Sequence, residues 1–450
     1  MRLRKILIRA LIVLFILATT VLVLRTFLNY ATGHTLEKYL ARAKDGGAVL
    51  RVKELIPDCP GTENGARLWK AAVALLDLDD ADKSGLSKAL EDSFYGRPLN
   101  EESRSKLASI ILKNKRTLDL AAEASALPCL HLGIWDDLAK GMDEDQMTTV
   151  VNMIQMTGLL AVETLLHADR GEIVLALEEC RTGMRLAERL MDEPSLINAA
   201  VAVANMKRMS LVFGRVVSGK QIDQKTLASW ISELDALSWR LHWAKTFPVE
   251  RASSLEMGLR MIKGDAGAVL THAGSKGPYG RFWFWLMRPV LRSEVLWFQN
   301  ACEDMDKVAT LPYYEQREFI IRLSQRLNTP PWYFRMIGTL FPDFQAPCLK
   351  EASLEAVMLA TRAGLACKMY SHRTGRYPGS LKALVPDLLP EIPIDPFTGK
   401  PLVYRMSSSE LIIYSVGSNE KDDRGRGTYL ITQLVTDKDD DWAWREKISP

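Results

Sequence analysis

The chain has 450 residues, 47% of them hydrophobic and 25% charged, enough for two or three domains and too apolar for intrinsic disorder. Its 58 basic and 55 acidic residues leave a net charge of +3, and no internal block of like charge makes a polybasic patch. A nucleic-acid partner, which needs a concentrated basic surface, is therefore not expected.

The first element is a membrane segment. Arg2-Leu3-Arg4-Lys5 is followed by an apolar run from Ile6 to Leu24, with Arg9 its only charge. That run is close to the roughly 20 residues a helix needs to cross a bilayer, and Arg9 can extend back to the headgroups. Basic residues crowd the N-terminal flank and only Arg25 follows closely, so the positive-inside bias puts the N-terminus in the cytoplasm and the bulk of the chain outside it. A cleaved signal peptide is the competing reading. It lacks a small-x-small site after the core, and Phe27 and Tyr30 suit an interfacial aromatic belt. Residues 1–30 are thus expected to form a cytoplasmic tip and a single-pass anchor in the inner membrane.

Residues 31–66 read as a linker with turn signals at Gly46-Gly47, Pro57 and Pro60-Gly61. Residues 67–346 read as α-helical. Arg67 to Leu76 and Met147 to His167 have amphipathic spacing, and Ile173, Leu177, Cys180, Met184 and Leu190 continue it. Val150 to Met191 forms a helical hairpin around Asp169-Arg170-Gly171, with no period repeated downstream, so an irregular α-helical bundle or short solenoid is expected. Arg281-Phe282-Trp283-Phe284-Trp285-Leu286-Met287-Arg288-Pro289 is unusually aromatic. It reads either as helix-to-helix core packing or as a segment lying against the membrane interface.

The texture changes at residues 350–450. Leu354, Met358, Thr361, Leu365 and Met369 form a helical stripe ending at Gly375-Arg376-Tyr377-Pro378. A turn-rich loop, Pro393 to Pro401, precedes two β-rich runs, Leu402–Arg405 and Leu411–Tyr414, joined through Ser407-Ser408-Ser409. Thr428 to Val435 reads as a third strand. The fold class is therefore mainly α: a transmembrane helix, a helical bundle, then a small α+β domain of one helix and an antiparallel sheet.

This tail carries Tyr377-Pro378, Leu381, Leu384-Val385-Pro386, Ile392-Pro393, Asp395-Pro396-Phe397, Gly399, Pro401, Tyr404, Tyr414-Ser415-Val416-Gly417 and Asp422-Asp423 in order. That succession resembles the globular domain of the major pseudopilin of type II secretion systems. The remainder resembles uncharacterised bacterial membrane proteins carrying such a tail. The resemblance implies a calcium loop after the Tyr-Ser-Val-Gly turn, with the Val416 carbonyl, Asn419, Asp422, Asp423, Asp440 and Asp441 as ligands. Calcium takes six to eight oxygens, which such a loop can supply. Asn419 stands where the family has aspartate, and the stretch from Asp423 to Asp440 is longer than usual. The alternative is a solvated acidic loop without metal. Pseudopilins also begin with a processed glycine and carry a glutamate at the fifth position of the apolar helix; neither is present here, so the helix is expected to be a permanent tether and not a fibre stem.

No catalytic constellation stands out. The six histidines form no ligand pair, and no nucleophile elbow, phosphate loop or dinucleotide fingerprint occurs. His131 with Trp135, Asp136 and Asp137 is an acid–base candidate set against a chance loop histidine. The six cysteines form no C-x-x-C pair. Cys59, Cys129 and Cys348 each adjoin a proline in expected loops, where an oxidising compartment permits a disulfide without requiring one. The expectation is a non-enzymatic envelope protein that acts through protein partners, linked to a secretion or pilus-like system. The alternative is an envelope hydrolase whose site is assembled from distant residues.

Overall fold

The computed structural model describes residues 2–133, 144–193, 195–237, 239–264, 278–334, 344–427 and 441–448. The fold is mainly helical, with a small antiparallel sheet near the C-terminus. The helices are α1 (Arg2–Asp45), α2 (Ala66–Leu75), α3 (Asp80–Phe94), α4 (Glu101–Lys113), α5 (Lys115–Ala126), α6 (Glu144–Asp169), α7 (Ile173–Arg189), α8 (Leu196–Val217), α9 (Gln224–Ala236), α10 (Trp239–Lys263), α11 (Pro278–Cys302), α12 (Met305–Val308), α13 (Tyr313–Asn328) and α14 (Gln345–Thr374).

Among the described residues, three helices are long and apolar enough to cross a membrane. Two of them, within α6 and α8, are mostly buried in the body, where an all-round apolar helix serves as core. The N-terminal one is wholly unburied across its apolar window, which fits a single membrane span. α1 does not stop at the membrane edge. Residues 31–45, expected as linker, continue the same helix, because Leu36, Tyr39, Leu40 and Ala43 recur at helical spacing and pack on the core. The helix ends where Gly46-Gly47 was read as a turn, and Gly47 is left-handed at φ 76°.

α1 lies along α11. Pro289 inside α11 has no N–H to give the carbonyl of Trp285 one turn earlier. Arg25 takes that acceptor, its Nε and Nη2 donating to Trp285 O at 3.2 and 2.7 Å, with the guanidinium 3.5 Å over the Trp285 ring. The aromatic stretch is divided: Phe284 and Phe298 are buried, whereas Phe282 is 60% exposed.

The expected hairpin is α6–α7, turned by Gly171 at φ 79°. Cys59 and Cys129 are joined by a disulfide. Cys348, expected in a loop, lies in the first turn of α14, where Pro347 is tolerated, and is buried without forming a disulfide. The bridge closes a loop of 70 residues, so its reduction is expected to cost about 2–4 kcal/mol. Melting with and without a thiol reductant checks this, and an unchanged midpoint refutes it.

The sheet has order β1-β2-β3, with β1 Val403–Met406, β2 Glu410–Ser415 and β3 Trp442–Lys447, both pairings antiparallel. The two expected strands and their serine-rich connection are present, Ser407 N donating to Glu410 O at 2.8 Å. The strand expected over Thr428–Val435 lies outside the described residues. Leu354, Met358, Thr361, Leu365 and Met369 are all buried, and α14 ends at Gly375 in the left-handed region. One side of α14 covers β2 and β3; the other packs on α8 and α9. One hydrophobic core therefore runs from Leu36 through the bundle to Trp444.

Candidate functional site

The two motifs behind the resemblance meet at Asp395, whose carboxylate is 1% exposed. It accepts from Phe397 N at 2.9 Å within its own loop, from Ser415 Oγ at 2.9 Å at the end of β2, and from Val416 N at 3.0 Å in the turn that follows. A buried carboxylate taking three such bonds fixes both segments at once. α13 supports this pair from outside: Tyr313 packs edge-on to Phe397 at 5.6 Å, and Arg317 pairs with Glu420.

Val416, Asn419, Asp422, Asp423 and Asp441 all lie around this loop; Asp440 lies outside the described residues. Gly417, Glu420, Arg424 and Gly425 have positive φ and wind the segment tightly. Asp422 is committed elsewhere, its Oδ1 accepting from Tyr414 Oη at 2.7 Å and its Oδ2 from Arg405 Nη2 at 2.6 Å. The Tyr414 bond holds its carboxyl below the usual range. Asn419 Nδ2 donates to Asp423 Oδ2 at 2.9 Å. Asp441 is fully buried; Oδ2 accepts from Gly425 N at 2.6 Å, and among the described residues Oδ1 has no hydrogen-bond partner. Burial first, against the opposing backbone N–H bonds of Gly425 and Asp423 and helped by the charges of Asp423 and Asp422, pushes its carboxyl up to about 6. A buried carboxylate oxygen without a donor, crowded by like charge, is what a cation would relieve. The donor set thus fits calcium through Asp441, Asp423, the Asn419 amide oxygen and the Val416 carbonyl, with Asp422 in the outer circle.

Asp395 and Asp441 as paired anchors become visible only when the β-turn and β3 are folded together; the aspartate-proline spacing was the signal for the first.

A second titratable cluster spans three helices. Glu163 and His167 on α6 and Glu179 on α7 bring ligand atoms within 4.8 Å of one another, and among the described residues this is the one such trio. Lys115 of α5 reaches Glu163 Oε1 at 3.5 Å and Asp119 at 3.4 Å, and His167 Nδ1 is 2.6 Å from Glu172 Oε2. Burial, then the charge on Glu163, raises the Glu179 carboxyl. Burial pulls the Lys115 ammonium down, but Glu163, Glu179 and Asp119 outweigh it and leave it raised. The ammonium already sits among the acids, so the arrangement ties α5, α6 and α7 as an ion network. Sequence spacing shows Glu163 and His167 on one face but cannot bring in Lys115 or Glu179.

His131 belongs to a stapled loop. Its N–H and carbonyl are held by Asn64 at 3.0 Å each, and Leu130 N and Gly133 N donate to Asp192 and Glu193 at 2.8 and 2.7 Å. Burial lowers its imidazole pKa. Trp135, Asp136 and Asp137 lie outside the described residues.

Two cavities of about 350 Å³ flank α14. One lies against α9, where Arg362 grips Asp235 at 2.5 and 2.8 Å. The other lies between α3, α8 and the sheet, beside Arg215 and Trp444. Neither lining contains a histidine or cysteine, and the Glu163 trio lines neither.

Searches against protein-family models, curated proteins and solved structures find no match for this chain.

Proposed function

We propose that this is a membrane-anchored, non-enzymatic envelope protein with a pseudopilin-like C-terminal module. It serves as a calcium-dependent interaction scaffold linked to a type II secretion or pilus-like system. The observation that carries this reading is the orphaned, fully buried Oδ1 of Asp441, beneath a turn that Asp395 ties to the second motif of the resemblance. Neither cavity lining brings in a histidine or cysteine to form a nucleophile–base pair, which favours a partner-binding role over a catalytic one. The Cys59–Cys129 bridge and the basic N-terminal flank both support a body on the oxidising side of the inner membrane. The runner-up, an envelope hydrolase, has in its favour the buried Glu163 Oε2, which lacks a partner beside His167 and Glu179.

Two measurements on the full chain test this. With a folded-state pKa near 6, above the unfolded value, Asp441 holds its proton more tightly in the native state. Its contribution is therefore full below about pH 4 and lost as pH rises through about 6. Calcium takes the proton's place, so millimolar calcium is expected to raise the melting midpoint at pH 7 and hardly at pH 4.5. Asp192, pushed up to about 6 by burial, gives a similar slope that calcium leaves alone. Asp441→Asn removes the calcium-sensitive part. Equal midpoints with calcium and chelator at pH 7 defeat the metal claim. Co-purification from membranes in mild detergent is expected to recover a secretion-system component, more with calcium. Recovery of none in either condition defeats the scaffold reading.

A further inference from the structure

α1 and α11 run parallel in a fixed register. Arg25 bonds Trp285, Arg292 Nη1 bonds Asn29 O and Oδ1 at 2.6 and 3.0 Å, Tyr39 Oη reaches Gln299 at 3.5 Å, and Arg42 faces Glu303 at 3.8 Å. The offset stays between 260 and 263 residues along about four turns of contact. The same offset puts Phe282 level with Leu22, inside the apolar run, and both side chains are more than half exposed. At 1.5 Å per residue, Phe282 then lies roughly 4–5 Å on the membrane side of Arg25. Phe282 stacks with Trp285 at 5.7 Å, an aromatic pair at the depth where such rings favour the interface.

Just above this pair the charge is one-signed. Arg25, Arg288 and Arg292 lie together; among the described residues none of them has a carboxylate at ion-pair distance, and Arg288 Nε, although buried, has no hydrogen-bond partner. Burial and the neighbouring Arg288 and Arg25 charges lower the Arg292 pKa, with only Glu37 opposing. Three guanidinium groups at the rim of a bilayer, with donors left over, call for an anion.

We propose that the start of α11 is embedded in the bilayer beside α1, with Phe282 among the outer acyl chains, and that Arg25, Arg288 and Arg292 bind the phosphate of an anionic phospholipid. This rests on the reading of α1 as a membrane span. Exposure of Phe282 is then burial in lipid, and the unpaired cations are neutralised by headgroups.

The test uses the full chain reconstituted in phosphatidylcholine vesicles, with brominated phosphatidylcholine or brominated phosphatidylglycerol as quencher. Phe282→Trp adds a fluorophore at an exposed position without disturbing the core. Its added emission is expected to be quenched by lipids brominated near the headgroup end, and more by phosphatidylglycerol than by phosphatidylcholine at equal fraction. Each arginine is expected to contribute about fivefold to that preference. The paired change Arg288→Gln with Arg292→Gln should cut it about 25-fold and leave the roughly fivefold share of Arg25, and the matching lysine pair should retain most of it. Vesicle flotation separates the two ideas. Protein that floats but shows no quenching at position 282, or no preference between the lipids, overturns this inference and leaves the anchor standing. Protein that does not float overturns both.

Discussion

Lys368→Met is expected to destabilise the protein by about 3–5 kcal/mol, read as a lowered urea midpoint. Lys368 on α14 and Glu446 on β3 form an ion pair at 2.6 Å with side chains only 5% and 2% exposed. Removing the ammonium leaves a carboxylate sealed in the core, held among the described residues by Gly219 N at 3.1 Å and Tyr377 Oη at 3.4 Å. Its Oε2 already has no partner. The same enclosure, with the Glu446 charge second, pushes the Cys367 thiol up to about 12 and leaves it inert at neutral pH. The double change Lys368→Met with Glu446→Leu removes both charges and should recover most of the loss, because a buried pair is seldom better than good packing. A double variant no more stable than the single one would show that the pair is not the cause.

Gly364→Ala is expected to cost about 1–3 kcal/mol through one methyl group. A Cβ at Gly364 would overlap the indole of Trp444, a rigid ring that is 3% exposed and has nowhere to turn. Gly364 and Lys368 are one helical turn apart, while Trp444 and Glu446 are two strand residues apart; the two rises are nearly equal, about 6 Å each, so α14 and β3 travel in step. Displacing Trp444 therefore also strains the ion pair. Tryptophan emission of the variant, with a urea titration beside it, checks this. A blue-shifted, unchanged spectrum with a wild-type midpoint would refute it.

Much of this architecture is written in local patterns. The 3.6-residue spacing identifies the buried stripe of α14, Gly171 and Gly375 mark where helices end, and the Leu411–Tyr414 run identifies the central strand. What the patterns hide is set by distant partners. β3 reads poorly as a strand because Glu446 occupies an inward position, which is tolerable only once Lys368 has been brought from 78 residues away. The helical continuation to Asp45 is signalled by only four spaced apolar residues among polar ones, in a stretch that follows a membrane run. Of the candidate loop, the acidic residues are legible in order, but neither the arginine that claims Asp422 nor the burial of Asp441 can be read without the sheet.

The unbroken course of α1 governs how the body is carried. Leu24 and Leu36 belong to one helix, so no swivel separates the span from the core. Arg25, seated on the carbonyl that Pro289 leaves free, keys that rod against turning about its own axis. The body cannot swing on a leash. Its height and azimuth relative to the span are set by that one helix. A twist or thrust of the span would be delivered to the whole molecule without slack.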